Sequence, residues 1–281
     1  MDAVVLALAS ALLFGATTVA IRVAFGRGAR AEPGALCSVL VALAVTLPFA
    51  AAQGGSLDGV WPFALAGLLS PGITQFLFTL GVREAGPSRT SVVIGTAPLF
   101  SVAIALVVLG EPLELALALG ALLIVGGGFL LVSERERPDH VRLRGLAFAL
   151  AATVVFASRD NLVRWLAVDT TVSPGIAASA TLGAGAVVMA LIVVASRAPL
   201  RARDARAFAP VGVFFGLSYV CLFEAYYRGL VTVVSPLVAT ESLWGVMLSA
   251  VVIGTSEGIG RRLVAGACLV VCGGILIGSS A

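Results

Sequence analysis

Apolar runs of about twenty residues recur along this chain, separated by short stretches where charges meet Gly or Pro. A helix of about twenty apolar residues crosses a ~30 Å hydrocarbon core, so each run predicts one membrane-spanning helix. The pattern gives ten, near 3–25, 34–53, 60–82, 88–110, 114–133, 144–167, 174–196, 207–229, 233–254 and 261–279. The separators "GRGARAEPG", "REAGPSR", "GEPLE", "SERERPDHVRLR" and "TSEGIGRR" carry helix-stopping residues beside charge. The N-terminal "MDAVVLALASALLFG" has no basic lead and no clear cleavage site, and reads as a first spanning helix rather than a signal peptide.

Composition strengthens this picture. Mean hydropathy is +1.08 and only 12% of the 281 residues are charged, about half the fraction expected of a soluble domain. The expected fold class is therefore an all-α, multi-pass protein of the plasma membrane, in contact with the lipid bilayer. All 18 basic residues are Arg, and most sit in loops. No folded soluble module exists to present them to nucleic acid, so that partner is excluded. The cysteines Cys37, Cys221, Cys268 and Cys272 fall in apolar runs and read as small buried hydrophobes. The single histidine, His140, lies in a charged loop. No metal and no cofactor is expected, and oligomeric state is not legible.

The chain repeats itself. An offset of 146 residues lays 107–131 over 253–277 without a gap, with nine of 25 positions identical. The pairs include Glu111/Glu257, Gly120/Gly266, Gly127/Gly273 and Gly128/Gly274. Two halves of five helices follow, with boundaries at 1–137 and 138–281. An odd number of spans per half makes the second half enter the membrane from the opposite side. Such inverted repeats are a common basis of alternating access.

The pattern "FLFTLGVREAGPSRTSVVIGTAPLF", a helix closing on "LGE", and "GALLIVGGGFLL" recurs as "LFEAYYRGLVTVVSPLVATESLWGVMLSAVVIGTSE" and "GACLVVCGGILI". In these residues the whole chain resembles the ten-helix EamA-type members of the drug/metabolite transporter superfamily. The resemblance implies a secondary carrier for small metabolites without naming the substrate. Two positions depart from it: the counterpart of Pro98 is Trp244, and Ser256 replaces the Gly before the second Glu.

Glu111 before Pro112 reads as a helix end, a tight turn and a new helix with Pro in its first turn, and Glu257 holds the same place in the second half. The glycines Gly120, Gly126 to Gly128, Gly266, Gly273, Gly274 and Gly278 predict a smooth face for close helix packing.

Charged residues inside the spans are the candidate functional groups, because burying them costs several kcal/mol each unless something compensates. In "FASRDNLVRW", Asp160 and Arg164 are spaced to pair at i, i+4, as are Glu224 and Arg228. Arg159 and Glu241 have no partner at that spacing. Arg159, Asp160 and Glu241 lie seven or eight residues from one membrane side and Glu224 about five, roughly 8–12 Å deep. Charges at similar depth on three helices should face each other or a wet cavity. The repeat positions matching Glu241 and Glu224 are Gly95 and Phe78, so these charges are not part of the repeated packing pattern.

Glu241 is the first candidate to bind a proton or a cation, and Arg159 a substrate carboxylate or phosphate. Asp160 and Glu224 would balance the Arg or hold an amine. Asn161, Tyr219, Tyr226, Trp244, Gln75, Thr17 and Thr18 are candidates to complete the site.

Loops on one side carry 14 Arg and the opposite side one, Arg228. The positive-inside rule places the rich side in the cytoplasm and both termini outside, whereas the resemblance suggests both termini inside.

The resulting expectation is a secondary active transporter of a small polar or amphipathic metabolite, with proton coupling an open option. A lipid carrier or flippase and a non-transporting membrane subunit remain alternatives. No HExxH, GxSxG or paired His occurs, so no enzyme is expected.

Overall fold

A computed structural model describes residues 2–104, 115–132, 142–168, 170–229, 231–254 and 260–279. They form thirteen α-helical segments and one π-helical turn, and no strand occurs among them. The first half holds α1 (Ala3–Gly26), α2 (Ala31–Gln53), α3 (Trp61–Gly67), α4 (Thr74–Ala85), α5 (Pro87–Ile94), α6 (Ala97–Ile104) and α7 (Leu115–Val132). The second holds α8 (Leu143–Ala167), α9 (Pro174–Ala195), α10 (Ala202–Arg228), α11 (Val231–Val238), α12 (Glu241–Val252) and α13 (Arg261–Ser279).

Among the described residues, seven segments are long and apolar enough to cross a membrane, the bent Trp61–Ala85 and the broken Val233–Val252 among them, against the ten spans expected. The third span bends at the π turn Leu68–Ile73, where Pro71 has no N–H to donate and Ser70 leaves helical geometry (φ −136°, ψ 114°). The fourth is cut at Gly95 and Thr96, ahead of Pro98. The Glu111–Pro112 and Glu257 turns lie outside the described residues.

The fourth and ninth spans break alike. Thr96 Oγ1 donates to the Val93 carbonyl (2.6 Å), and Thr240 Oγ1 donates to the Leu237 carbonyl (2.6 Å). In each half a Thr thus closes the turn before the break with both its N–H and its hydroxyl on one carbonyl. Interrupted helices at matching places in two repeats are the strongest local pointer to a transport site.

The halves interlock with approximate two-fold symmetry. α1 packs along α10 as α8 packs along α4, and α2 packs on α10 as α9 packs on α3 and the π turn. On the axis, α7 and α13 cross antiparallel. A methyl on Gly127 would stand 2.6 Å from the Gly266 carbonyl oxygen, and one on Gly273 2.5 Å from that of Gly120. With no hydrophobic force between helices in lipid, such close backbone contact supplies the adhesion. Gly126 departs from the expected smooth face, since nothing approaches it within 4 Å. Cys268 and Cys272 are exposed on α13 rather than buried as expected, because the seam is made by the glycines on its other face.

At one membrane face, Glu84 ties the halves together. Its carboxylate accepts from Arg144 Nε (2.7 Å) and Arg83 Nε (3.0 Å), and its carbonyl accepts from the Arg142 N–H (2.7 Å).

Candidate functional site

The two broken spans meet. α5 crosses α12 so closely that a methyl on Gly95 would stand 2.8 Å from Ser242 Cβ, and one on Gly245 only 2.4 Å from Ser91 Cβ. Glycine at these two positions lets the break in one half lie against the segment that follows the break in the other.

A cavity opens beside that crossing. Phe14 of α1, Gln75 and Phe78 of α4, Ile94 and Ala97 from the first break, and Phe156, Arg159 and Asp160 of α8 line it. Phe215 and Leu222 of α10, Ser235 and Val238 of α11, and Ala239 and Glu241 at the second break complete the wall. Its volume is about 40 Å³, enough for about three waters at 10–15 Å³ each.

Three ionisable groups face this space although each is more than nine-tenths buried: Arg159, Asp160 and Glu241 are 4%, 6% and 4% exposed. Arg159 Nε lies 2.7 Å from Asp160 Oδ1. The expected Asp160–Arg164 pair does not form, and Arg159 is not without a local partner. Arg164, one turn nearer the helix end, instead reaches across to α10, where Nη1 donates to the Tyr226 carbonyl (3.0 Å).

The Arg159 guanidinium also lies over two rings, 5.0 Å from the Tyr219 centroid and 5.5 Å from that of Phe156. Aromatic faces attract a desolvated cation and offset part of its burial cost. They cannot accept from all its N–H groups: Nη1 has no hydrogen-bond partner. Tyr219 adjoins Arg159, and Tyr226 adjoins Asp160, yet neither hydroxyl reaches full hydrogen-bonding geometry. The pair is thus electrically balanced but under-bonded.

Glu241 differs. It begins α12, and no hydrogen bond or ion pair ties its carboxylate to a described residue. Its position at a helix start gives it a favourable dipole. That replaces only part of the hydration it has lost, so a proton or cation in the cavity would be strongly favoured.

Glu224 does not line the cavity. It accepts from Gln53 Nε2 at the end of α2 and from Arg228 Nε (2.9 Å) one turn on, while Gln53 Oε1 accepts from the Gly175 N–H (2.8 Å) at the start of α9. The i, i+4 pair anticipated in the sequence is therefore present, and with Gln53 it fastens three helix ends.

Among the polar candidates, Gln75 reaches the cavity. Its Nε2 donates to Ser38 Oγ (3.2 Å), and its Oε1 has no partner. Thr17 and Thr18 bond back to the Leu13 and Phe14 carbonyls (2.9 and 3.0 Å), and Asn161 to the Ala157 carbonyl (2.9 Å). Trp244 packs over Gly15 of α1, and Tyr226 stands behind Asp160. The sequence reading missed Ser235 and the four Phe of the wall. Ser235 precedes Pro236 just before the second break, which is a usable signal, whereas the Phe residues are indistinguishable from packing residues.

A family model described as "EamA-like transporter family" matches residues 1–133 and again 143–279. One solved structure, described as "Crystal structure of protein", superposes with a TM-score of 0.68 at 20% identity, over 98% of this chain and 95% of its own. That shows a shared fold. No curated protein gives a significant match.

Proposed function

This chain belongs to the EamA-like transporter family, and from that premise we propose that it is a secondary active carrier moving a small polar or amphipathic metabolite across the plasma membrane by alternating access. The halves 1–137 and 138–281 rock about the cavity between the two breaks. The observation that carries this reading is the meeting of Arg159, Asp160 and Glu241, all buried, on one cavity beside two interrupted helices. A space of about 40 Å³ is too small for a metabolite, so loading separates the walls and lets substrate replace water.

In this cycle the under-bonded Arg159 takes an anionic group of the substrate and Asp160 keeps the guanidinium neutralised between turnovers. Glu241 takes the coupling proton, because it is the one buried carboxylate of the three groups without a protein cation beside it. Gln75 Oε1 accepts from a substrate donor. The roles are those of a carrier and call for no bond-making chemistry.

The test is reconstitution into proteoliposomes, with substrates first chosen from a metabolite panel by thermal shift. Flux driven by a pH gradient is expected for the parent protein and is expected to vanish in Glu241→Gln, while substrate exchange without a gradient continues. Full gradient-driven flux in Glu241→Gln would remove Glu241 from the coupling step. Unchanged substrate affinity in the double variant Arg159→Met, Asp160→Leu would place recognition elsewhere.

A further inference from the structure

A second hollow, about 310 Å³ in volume, lies on the outer faces of three helices that wall the charged cavity. α1 turns Phe14 toward the cavity and Ala16 and Ala20 toward the groove; α10 turns Phe215 inward and Phe214 outward. α12 contributes Glu241 to the cavity and Leu248 and Val252 to the groove. The groove exists because Ala16 and Ala20, one turn apart on α1, leave a gap that the larger side chains of α10 and α12 border but do not fill.

Its shape and charge identify an occupant. From Ala16 to Arg27 the groove follows α1 for about 16 Å, close to the depth of one leaflet of a ~30 Å core. Every named wall residue but one is apolar, so a polar ligand would gain nothing inside it. The exception is Arg27 at the mouth, where α1 ends. Its side chain is exposed and no described residue bonds its guanidinium. It stands on the side of the membrane where the loops carry 14 Arg.

We propose that this groove is a binding site for an anionic phospholipid, with an acyl chain along Ala16 and Ala20 and the headgroup phosphate on Arg27. Basic residues at the mouths of grooves between spanning helices hold such headgroups. A lipid seated there wedges α1, α10 and α12 at their present spacing. Because the same three helices wall the charged cavity, the lipid acts as an effector of whatever that cavity binds. The site stands independently of the substrate proposed above.

Lipid retention measured by native mass spectrometry on the full chain in neutral detergent tests the proposal, using phosphatidylglycerol and phosphatidylcholine as probes. The parent protein is expected to retain phosphatidylglycerol about fivefold better. Arg27→Gln is expected to lose that preference, and Arg197→Gln, a charge change at the end of α9, to keep it. Ala20→Trp, which fills the groove, is expected to lose both lipids. Equal retention of the two lipids by the parent protein, or an intact preference in Arg27→Gln, would overturn the assignment. So would a dimer that Ala20→Trp dissociates, since a second copy would then cover the groove. The Arg27 side chain is exposed and no described residue bonds its guanidinium, so its variant reports even if Ala20→Trp does not fold.

Discussion

The α7–α13 seam and the charged cavity are built by opposite rules. At the seam the two halves agree: Gly120 meets Gly273 and Gly127 meets Gly266, pairs that the 146-residue offset exchanges for one another. At the cavity they disagree. The positions matching Arg159, Asp160 and Glu241 are Leu13, Phe14 and Gly95. A repeated interface needs self-complementary surfaces, which two copies of one pattern supply. A recognition site needs one arrangement of charge, and symmetry would place like charges face to face. Phe14 shows the division well: it lines the same cavity as its counterpart Asp160, giving bulk where the second half gives charge.

This contrast can be broken most forcefully at the cavity. Asp160→Asn leaves Arg159 buried with no neutralising partner, and stability in detergent should fall by about 3–5 kcal/mol. Replacing both, as Arg159→Met with Asp160→Leu, should restore most of that loss because no charge remains buried. Thermal unfolding followed by size-exclusion chromatography reads both. If the double variant were as unstable as the single one, the pair would be a structural clasp and not a tolerated cost.

At the seam a smaller effect is expected, since overpacking costs about 1–3 kcal/mol. Gly127→Ala should destabilise within that range because its methyl meets backbone, whereas Gly126→Ala should be neutral, with nothing within 4 Å. Equal unfolding temperatures for the two would deny the seam its role.

The smallest effect belongs to Glu224→Gln. Arg228 is half-exposed, so loss of that ion pair should cost only about 1 kcal/mol, and transport should persist. Abolished flux in a folded Glu224→Gln protein would return Glu224 to the functional site.

Much of the architecture could be read along the chain. Hydropathy alone marked the helical segments, and the Glu and Gly coincidences exposed the repeat. Depth along each helix selected Arg159, Asp160 and Glu241, because depth depends only on residue count. The same argument admitted Glu224, which the structure places off that cavity. Glu224 lies near its helix end, where Gln53 from α2 can reach it, and nothing local to either residue signals that meeting. Spacing likewise favoured Asp160–Arg164 over Arg159–Asp160. Neighbouring side chains diverge on an ideal helix, but two rings packed around Arg159 hold its guanidinium back toward Asp160.

The sequence by itself determined that this is a helical membrane protein of two related halves, with costly charges concentrated in the second. These properties are periodic or additive along the chain. Which charges share a space, which broken segments meet, and which faces of α1, α10 and α12 turn inward were decided only in the tertiary structure. Orientation about a helix axis is set by neighbours from the other half. In a chain this uniformly apolar, one face of a helix carries little to distinguish it from the next.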